Sequence, residues 1–389
     1  MNKTSSTKKK QYRIVADENM PAIEHLFGDL AEITRLDGRS INSTVLQNAD
    51  ALLCRSITSV DQSLLENTAV KFVGTATIGT DHLDIPWLES QKIESEKIGS
   101  GSIESEKINW ANAAGCNAAA VAQYVLSAVA FWCKSYNKPM QDVTIGIVGA
   151  GNVGTELARC LGLLSIKYLL CDPPLEQSGD PRQLVPMSDI MKCDVISLHV
   201  PIEKIGNYPT YHLIGSKELK QLSKEQLLIN ASRGAVIDNI ALINSLSSSD
   251  SVKVILDVFE DEPNVSRQLL EQCLLSTSHI AGHTLEGKLR GSWLIYQAFC
   301  ENFNIKNDKE ESSIYPSPNQ ISLRDDNLIS NLTAIYDIQS DSDALRFQDD
   351  EPIAVKFDRL RKNATQLANG NIRRDYSGWQ FIGDFNLPL

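Results

Sequence analysis

The 389-residue sequence has no Cys-x-x-Cys pair among its eight cysteines. That absence argues against a zinc site and against a dense disulfide framework, and leaves reduced thiols in a cytoplasmic protein as the expectation. Basic runs are missing beyond Lys8-Lys9-Lys10, and the net charge is −12. A nucleic-acid backbone would be repelled, so no nucleic-acid partner is expected, and an anionic ligand needs positive charge inside its own pocket. Met1 to Gln11 lacks an apolar h-region and reads as a polar tail. No apolar run is long enough to span a bilayer, since the longest, Ala118 to Cys133, is interrupted by Gln123 and Ser127. It reads as a buried helix with Asn117 as its N-cap, and no membrane partner is expected.

What is present is a β-branched run, Val143 to Val148, ending in Gly149-Ala150-Gly151-Asn152-Val153-Gly154 and followed by helical spacing of Leu157, Ala158 and Leu161. This is strand, tight turn and helix. Gly149 allows the bend, Gly151 lets backbone approach a pyrophosphate, and Gly154 lets the helix pack on the strand. The free N–H groups at the helix start, from Asn152 and Val153 onward, would meet the ligand's negative charge. About twenty residues on, Tyr168 to Cys171 ends in Asp172, placed to accept from both adenosine ribose hydroxyls and to repel a 2′-phosphate. The cofactor expected is therefore NAD. Glycines in an ordinary βα turn, with Asp172 as a cap, would be the plainer reading.

Alternating strand and helix runs through most of the chain and places it in the α/β class. Tyr12–Ala16, Ile33–Leu36, Ala51–Cys54 and Val70–Val73 are the first strands, and Arg55-Ser56 and Gly74 to Asp81 stand at strand ends, where ligands bind in open parallel sheets. Turn and capping chemistry accounts for Ser56, Thr77 and Asp81 equally well. Ile93 to Ile98 recurs identically as Ile103 to Ile108 around Gly99-Ser100-Gly101-Ser102, a local duplication expected to form a solvated loop or small hairpin. After Asp172 the rhythm resumes: Val195 to Val200, Leu227 to Asn230 and Val254 to Val258 are strands with polar residues at their carboxyl ends. Asn304 to Pro318 is polar and reads as a linker, leaving Gln320 to Leu389 long enough for a small third domain.

Arg233, Glu262 and His279 follow three successive elements of the second sheet. Oxidation of a 2-hydroxy acid needs an anchor for the carboxylate, a base for the hydroxyl proton and a group that orients the base. Arg233 suits the first, with charged hydrogen bonds worth roughly 1.5–3 kcal/mol each. His279 suits the second, where general-base help is worth roughly 10²–10⁴ in rate. Glu262 suits the third. Singly each has a plain reading as a surface ion pair, a loop charge or a satisfied histidine; together, downstream of a dinucleotide fingerprint, they form a catalytic set.

These residues, with Asn230 to Gly234, Asp257 to Pro263 and Ser278 to Gly282, resemble the D-isomer-specific 2-hydroxyacid dehydrogenases. The resemblance covers nearly the whole chain. It implies a Rossmann-type doubly wound NAD domain over 111–284, a flavodoxin-like substrate lobe over 12–110 completed by 285–304, and a small α+β dimerisation domain over 319–389 that makes a homodimer. It also implies Arg233 and Glu262 as catalytic, His279 as proton donor, and NAD contacts at Asp172, Val200, Ala231, Ser232, Arg233, Asp257 and Gly282. Substrate contacts are implied at Ser56, Thr77 and His283, the last standing where the family carries tyrosine. Narrower motifs, Asp17 to Pro21, Gly74 to His82, Gly115 to Ala118, Leu170 to Pro174 and Thr284 to Lys288, are similar to the branch that oxidises 4-phospho-D-erythronate in pyridoxal phosphate synthesis. Another hydroxy acid such as phosphoglycerate, or a non-catalytic NAD(H) sensor of the same fold, stays open at this point.

Overall fold

The computed structural model describes residues 11–90, 108–323, 327–366 and 372–382. The duplicated segment, but for Ile108, and the polar tail, but for Gln11, lie outside the described residues. The chain divides into two compact units, residues 1–116 with 288–316, and residues 117–287 with 317–389.

The first unit holds five strands, β1 Tyr12–Asp17, β2 Ala31–Leu36, β3 Ala51–Cys54, β4 Phe72–Thr75 and β5 Asn109–Asn112. They form one parallel sheet in the order β2-β1-β3-β4-β5, the flavodoxin-like arrangement. Its central strands β3 and β4 are short, fully buried runs because both faces of a parallel sheet are covered there. One cover is the part of the Leu285–Asn302 helix that lies in this unit: Phe299 meets Phe27 edge-on at 5.3 Å and Phe72 at 5.8 Å.

The second unit carries β6 Thr144–Val148, β7 Lys167–Cys171, β8 Val195–Leu198, β9 Leu227–Asn230, β10 Lys253–Leu256 and β11 Leu275–Ser276, all parallel, in the order β11-β10-β9-β8-β6-β7. A single parallel bridge from Leu184 to Leu170 continues the sheet beyond β7. With Leu184 counted as a vestigial strand, the order is the Rossmann one, and the switch point falls at the end of β6, where the glycine turn stands.

The Ala118–Ser135 helix is buried on nearly every face. Asn117 precedes it but makes no capping bond; its amide lies against Gly282, where a Cβ would come within 2.1 Å of Nδ2. The segment that the polar stretch 304–318 sets apart packs into the core of the second unit: Leu323, Leu332, Ile335, Tyr336 and Tyr376 share a cluster with Tyr124, Val125 and Leu126. It contributes β12 Asn319–Ser322 and β13 Trp379–Ile382, a parallel pair, and three helices, Leu328–Ile335, Ile338–Arg346 and Ile353–Asn363. Gln123, a polar interruption in the apolar run, donates from Nε2 to the Arg374 carbonyl at 2.9 Å. An apolar helix needs cover on all sides, and this segment supplies one of them.

Candidate active site

In the second unit Gly149 has φ +94, a left-handed conformation that favours glycine, and a Cβ on Gly154 would stand 2.0 Å from the Gly149 carbonyl oxygen. Nothing lies within 4 Å of where a Gly151 Cβ would project. Intrahelical bonding in Asn152–Leu163 begins with the Thr155 N–H to the Gly151 carbonyl, so the N–H groups of Asn152, Val153 and Gly154 lie outside the ladder. The turn is therefore open and lined with donors, as a pyrophosphate requires. Asp172 Oδ2 accepts from the Ala150 N–H at 2.8 Å and Oδ1 from the Leu175 N–H at 3.1 Å. The carboxylate both caps the helix that follows it and ties the end of β7 to the glycine turn. Val200 flanks the same turn, its Cγ1 3.0 Å from a notional Gly149 Cβ.

Beyond β9, the Asn230 side chain organises the loop that carries Arg233. Its Oδ1 accepts from the Ser232 N–H and hydroxyl at 3.1 and 2.9 Å, and its Nδ2 donates to the Arg233 carbonyl at 2.9 Å. Arg233 Nη1 donates to the Ser232 carbonyl at 2.8 Å, and Ala231 is half-buried beside them. Gly234 sits directly on the next loop, since a Cβ there would fall 1.9 Å from the Phe259 carbonyl oxygen. That loop presents Glu262, whose Oε1 accepts from the Phe259 N–H at 2.8 Å and whose Oε2 meets His279 Nδ1 at 2.7 Å. With Nδ1 engaged, Nε2 is the nitrogen free to exchange a proton with a bound hydroxyl. Burial pushes the Glu262 carboxyl up, but the charge and hydrogen bond of His279, the Phe259 N–H and the Arg361 charge outweigh it and hold it below the usual glutamate value.

His279 itself has φ +57, a strained conformation for a non-glycine residue. The fully buried Asp257 holds it there: Oδ1 accepts from Thr277 Oγ1 and the Ile280 N–H at 2.7 Å each, Oδ2 from the Ala281 N–H at 2.9 Å, and the Asp257 carbonyl from the His279 N–H at 2.7 Å. This bracing role was not visible in the sequence, where Asp257 reads as a strand-end carboxylate and, by the family resemblance, as an NAD contact. Gly282 follows, close-packed on Asn117, and then half-buried His283, whose N–H donates to the Ile280 carbonyl at 2.8 Å.

Next to this set, the His212 imidazole lies between two carboxylates, Nε2 at 2.7 Å from Glu260 and Nδ1 at 3.7 Å from Asp238. The three could be grouped as metal ligands, but each carboxylate faces a different ring nitrogen, and Asp238 also caps a helix through the Ala241 N–H at 2.9 Å. The arrangement braces the loop ahead of Glu262.

In the first unit, Asp17, Arg55-Ser56 and Thr75 to Thr77 stand at the carboxyl ends of the neighbouring strands β1, β3 and β4. Thr77 Oγ1 donates to the Gly79 carbonyl at 2.9 Å and meets Thr75 Oγ1 at 2.8 Å, which in turn meets His82 Nε2 at 2.9 Å. Ser56 is exposed. Arg55 Nε lies 3.4 Å from Oδ1 of the fully buried Asp17. Lys288 is near enough to feel both: burial first, then the Arg55 charge, bring its ammonium down to about 8 against the opposing pull of Asp17.

The family profile "D-isomer specific 2-hydroxyacid dehydrogenase, NAD binding domain" matches residues 131–281. The chain is 42% identical over 363 residues to a protein of Marinobacter nauticus named erythronate-4-phosphate dehydrogenase, with 90% of this chain and 91% of that one covered. The chain belongs to the erythronate-4-phosphate dehydrogenase family. A second member, from Shewanella halifaxensis, is 42% identical over 375 residues, covering 94% and 93% of the two chains. Solved structures with the same fold include 3-phosphoglycerate dehydrogenase of Entamoeba histolytica bound to NAD+, with a TM-score of 0.60, 21% identity and coverage of 76% of this chain and 96% of that one. D-lactate dehydrogenase of Aquifex aeolicus, complexed with NAD and lactic acid, has a TM-score of 0.54 at 21% identity, over 75% of this chain and 95% of that one. The chain is thus an NAD-dependent dehydrogenase of the 2-hydroxyacid type, and no helix among the described residues is long and apolar enough to cross a membrane.

Proposed function

We propose that this chain oxidises 4-phospho-D-erythronate at C2 to (R)-3-hydroxy-2-oxo-4-phosphooxybutanoate, a step of pyridoxal 5′-phosphate synthesis. The observation that carries the reading is the His279–Glu262 pair at 2.7 Å, placed one loop from Arg233 and in the same unit as an open, donor-lined glycine turn. NAD, when bound, accepts the hydrogen and electron pair that leave C2. The chain's own residues do the rest. His279 takes the hydroxyl proton on Nε2, Glu262 orients the ring and balances the imidazolium, and Arg233 pairs with the C1 carboxylate. Gly149, Gly151, Asn152, Val153 and Gly154 receive the pyrophosphate, Asp172 the ribose, and Val200, Ala231, Ser232, Asp257 and Gly282 frame the remainder of the cofactor. Ser56, Thr77 and His283 are the proposed substrate contacts; an imidazole at 283 donates to an anion as a tyrosine hydroxyl would.

The test is NADH formation, followed by absorbance, from 4-phosphoerythronate and 3-phosphoglycerate side by side. Turnover with the first and little with the second is expected; NADH from neither would overturn the reading.

The C-terminal segment is proposed to make a homodimer, supported by the exposure on it of Phe347, Val355 and Ile372. Phe347→Asp with Val355→Asp should yield monomers in sedimentation, and a persistent dimer would refute this role. The eight buried free thiols fit a reducing cytoplasm.

A further inference from the structure

We propose that Asp180 is a second determinant of cofactor choice beside Asp172: it occupies the guanidinium fork of Arg182 next to the glycine turn, and so withholds from the adenosine ribose a cation that would receive a 2′-phosphate. The inference rests on the placement of that ribose at Asp172 proposed above.

The place is fixed by β7 and by the helix after the glycine turn. Leu184 bridges to Leu170, and the Val185 N–H donates to the Leu170 carbonyl at 2.8 Å, so the segment that carries Arg182 is held beside β7. Arg182 Nη1 donates to Thr155 Oγ1 at 2.7 Å, and Thr155, in the first turn of the Asn152–Leu163 helix, donates in turn to the Ala150 carbonyl at 3.0 Å. The Ala150 N–H is the group that Asp172 accepts at 2.8 Å. Arg182 and Asp172 thus reach the same residue of the turn, one through Thr155 and the other directly. The hydrogen bond to Asp180 first, and then the charges of Asp180 and Asp172, raise the Arg182 value, so the guanidinium is near enough to Asp172 to feel it.

A guanidinium near the ribose end of a dinucleotide turn is what accommodates a 2′-phosphate, because its planar fork matches two phosphate oxygens. In this chain the fork is taken. Arg182 Nε donates to Asp180 Oδ1 and Nη2 to Oδ2, both at 2.8 Å, and the Arg182 N–H donates to Oδ1 at 2.9 Å. The side-chain bonds first, then the N–H bond, bring the Asp180 carboxyl down to about 2, so it is charged at neutral pH and offsets the positive charge that a 2′-phosphate would need. The Arg182 side chain is 32% exposed, open to a ligand were the fork released. The two carboxylates therefore act in different ways: Asp172 repels a 2′-phosphate, and Asp180 removes what would attract it. A ribose hydroxyl needs only the acceptor on Asp172.

The experiment titrates the full chain with NADH and with NADPH, followed by nucleotide fluorescence, in wild type, Asp180→Asn, Asp172→Ala, the double variant, and the double variant with Arg182→Met. Asparagine keeps an acceptor for the Arg182 N–H while removing the charge and half of the fork, and an ion pair at the surface contributes little to stability, so the fold should survive. The ratio of NADPH to NADH affinity should rise a few-fold in Asp180→Asn alone, where Asp172 remains to repel, and by about tenfold when the change is made on Asp172→Ala, the size of one charged hydrogen bond. Arg182→Met should cancel that gain. A loosened loop would instead alter both nucleotides alike and would not depend on Arg182. A ratio that Asp180→Asn leaves unchanged in both backgrounds, or a gain that survives Arg182→Met, overturns the proposal. The ribose placement is judged separately, by the loss of NADH affinity in Asp172→Ala alone: without that loss the placement fails, and Asp180→Asn in the wild-type background decides whether Arg182 receives the phosphate.

Discussion

The two units carry their charges differently at the ends of their sheets. In the second, Glu262 is answered by His279 and the Phe259 N–H, and Asp257 by three donors. In the first, Asp17 faces both Arg55 and Lys288. Groups that move a proton work best when their partners are already in place, because nothing then reorganises during the reaction.

The largest effect should come from removing the proposed proton carrier of the answered set. His279→Ala is expected to lower kcat by roughly 10²–10⁴ with little change in NAD affinity, read from steady-state kinetics and a fluorescence titration. Loss of NAD binding on the same scale would show that the ring serves the cofactor instead.

Next comes a buried ion pair of the second unit. Glu286 and Arg374 are both buried and paired; the Asp375 N–H also donates to Glu286 at 3.0 Å, and the Leu285 N–H to the Arg373 carbonyl at 3.0 Å. Arg374→Ala leaves the buried Glu286 charge with the Asp375 N–H but without its guanidinium, which should cost about 3–5 kcal/mol in a denaturant titration. For the same reason, cutting the chain before Ser317 should destabilise the second unit and not merely separate a domain. A loss within a few tenths of a kcal/mol would mean the turn after His283 is held by other contacts.

A smaller effect is expected at the nucleotide end. Asp172→Ala removes the tie between β7 and the glycine turn along with the proposed ribose acceptor, so NAD affinity should fall about tenfold, while NADP is tolerated relatively better. Equal affinities before and after would separate the capping role of Asp172 from any cofactor role.

The smallest is a pH effect. Because the folded-state value of Glu262 is lowered from 4.5, its stabilising contribution is complete above that value and is lost as pH falls through the lowered one. The stability difference between wild type and Glu262→Gln should therefore shrink as the pH falls below 4.5. A difference that grows on acidification would mean that the pairing with His279 does not stabilise the carboxylate.

Much of this was legible along the chain because the physics is local. β-branched runs become parallel strands, glycine is needed where Gly149 turns left-handed, and the candidate catalytic groups lie where strands end. β5 was not legible: Asn109–Asn112 is polar and joins the sheet only because β4 offers an open edge. The Leu184 bridge carries no pattern at all, since one residue has no period. Asn117 has the residue type of a cap, yet its amide is held against Gly282, a neighbour 165 positions away that no local rule anticipates.

By itself, then, the sequence determined the alternation of strands and helices and the glycine turn, and it singled out Arg233, Glu262 and His279 as candidates, because hydrophobic period, turn chemistry and residue type are properties of short windows. Tertiary structure alone decided three things. The segment after Ser317 shares a core with the Ala118–Ser135 helix, since burying Leu332, Ile335 and Tyr336 against it outweighs the polar stretch that suggested a boundary. Asp257 acts as a brace, since its acceptors become engaged only when β10 and the Thr277–Ala281 loop come together. And Lys288 feels the charges of Asp17 and Arg55, more than two hundred residues earlier in the chain, because a helix that returns late packs over the ends of strands laid down at the beginning.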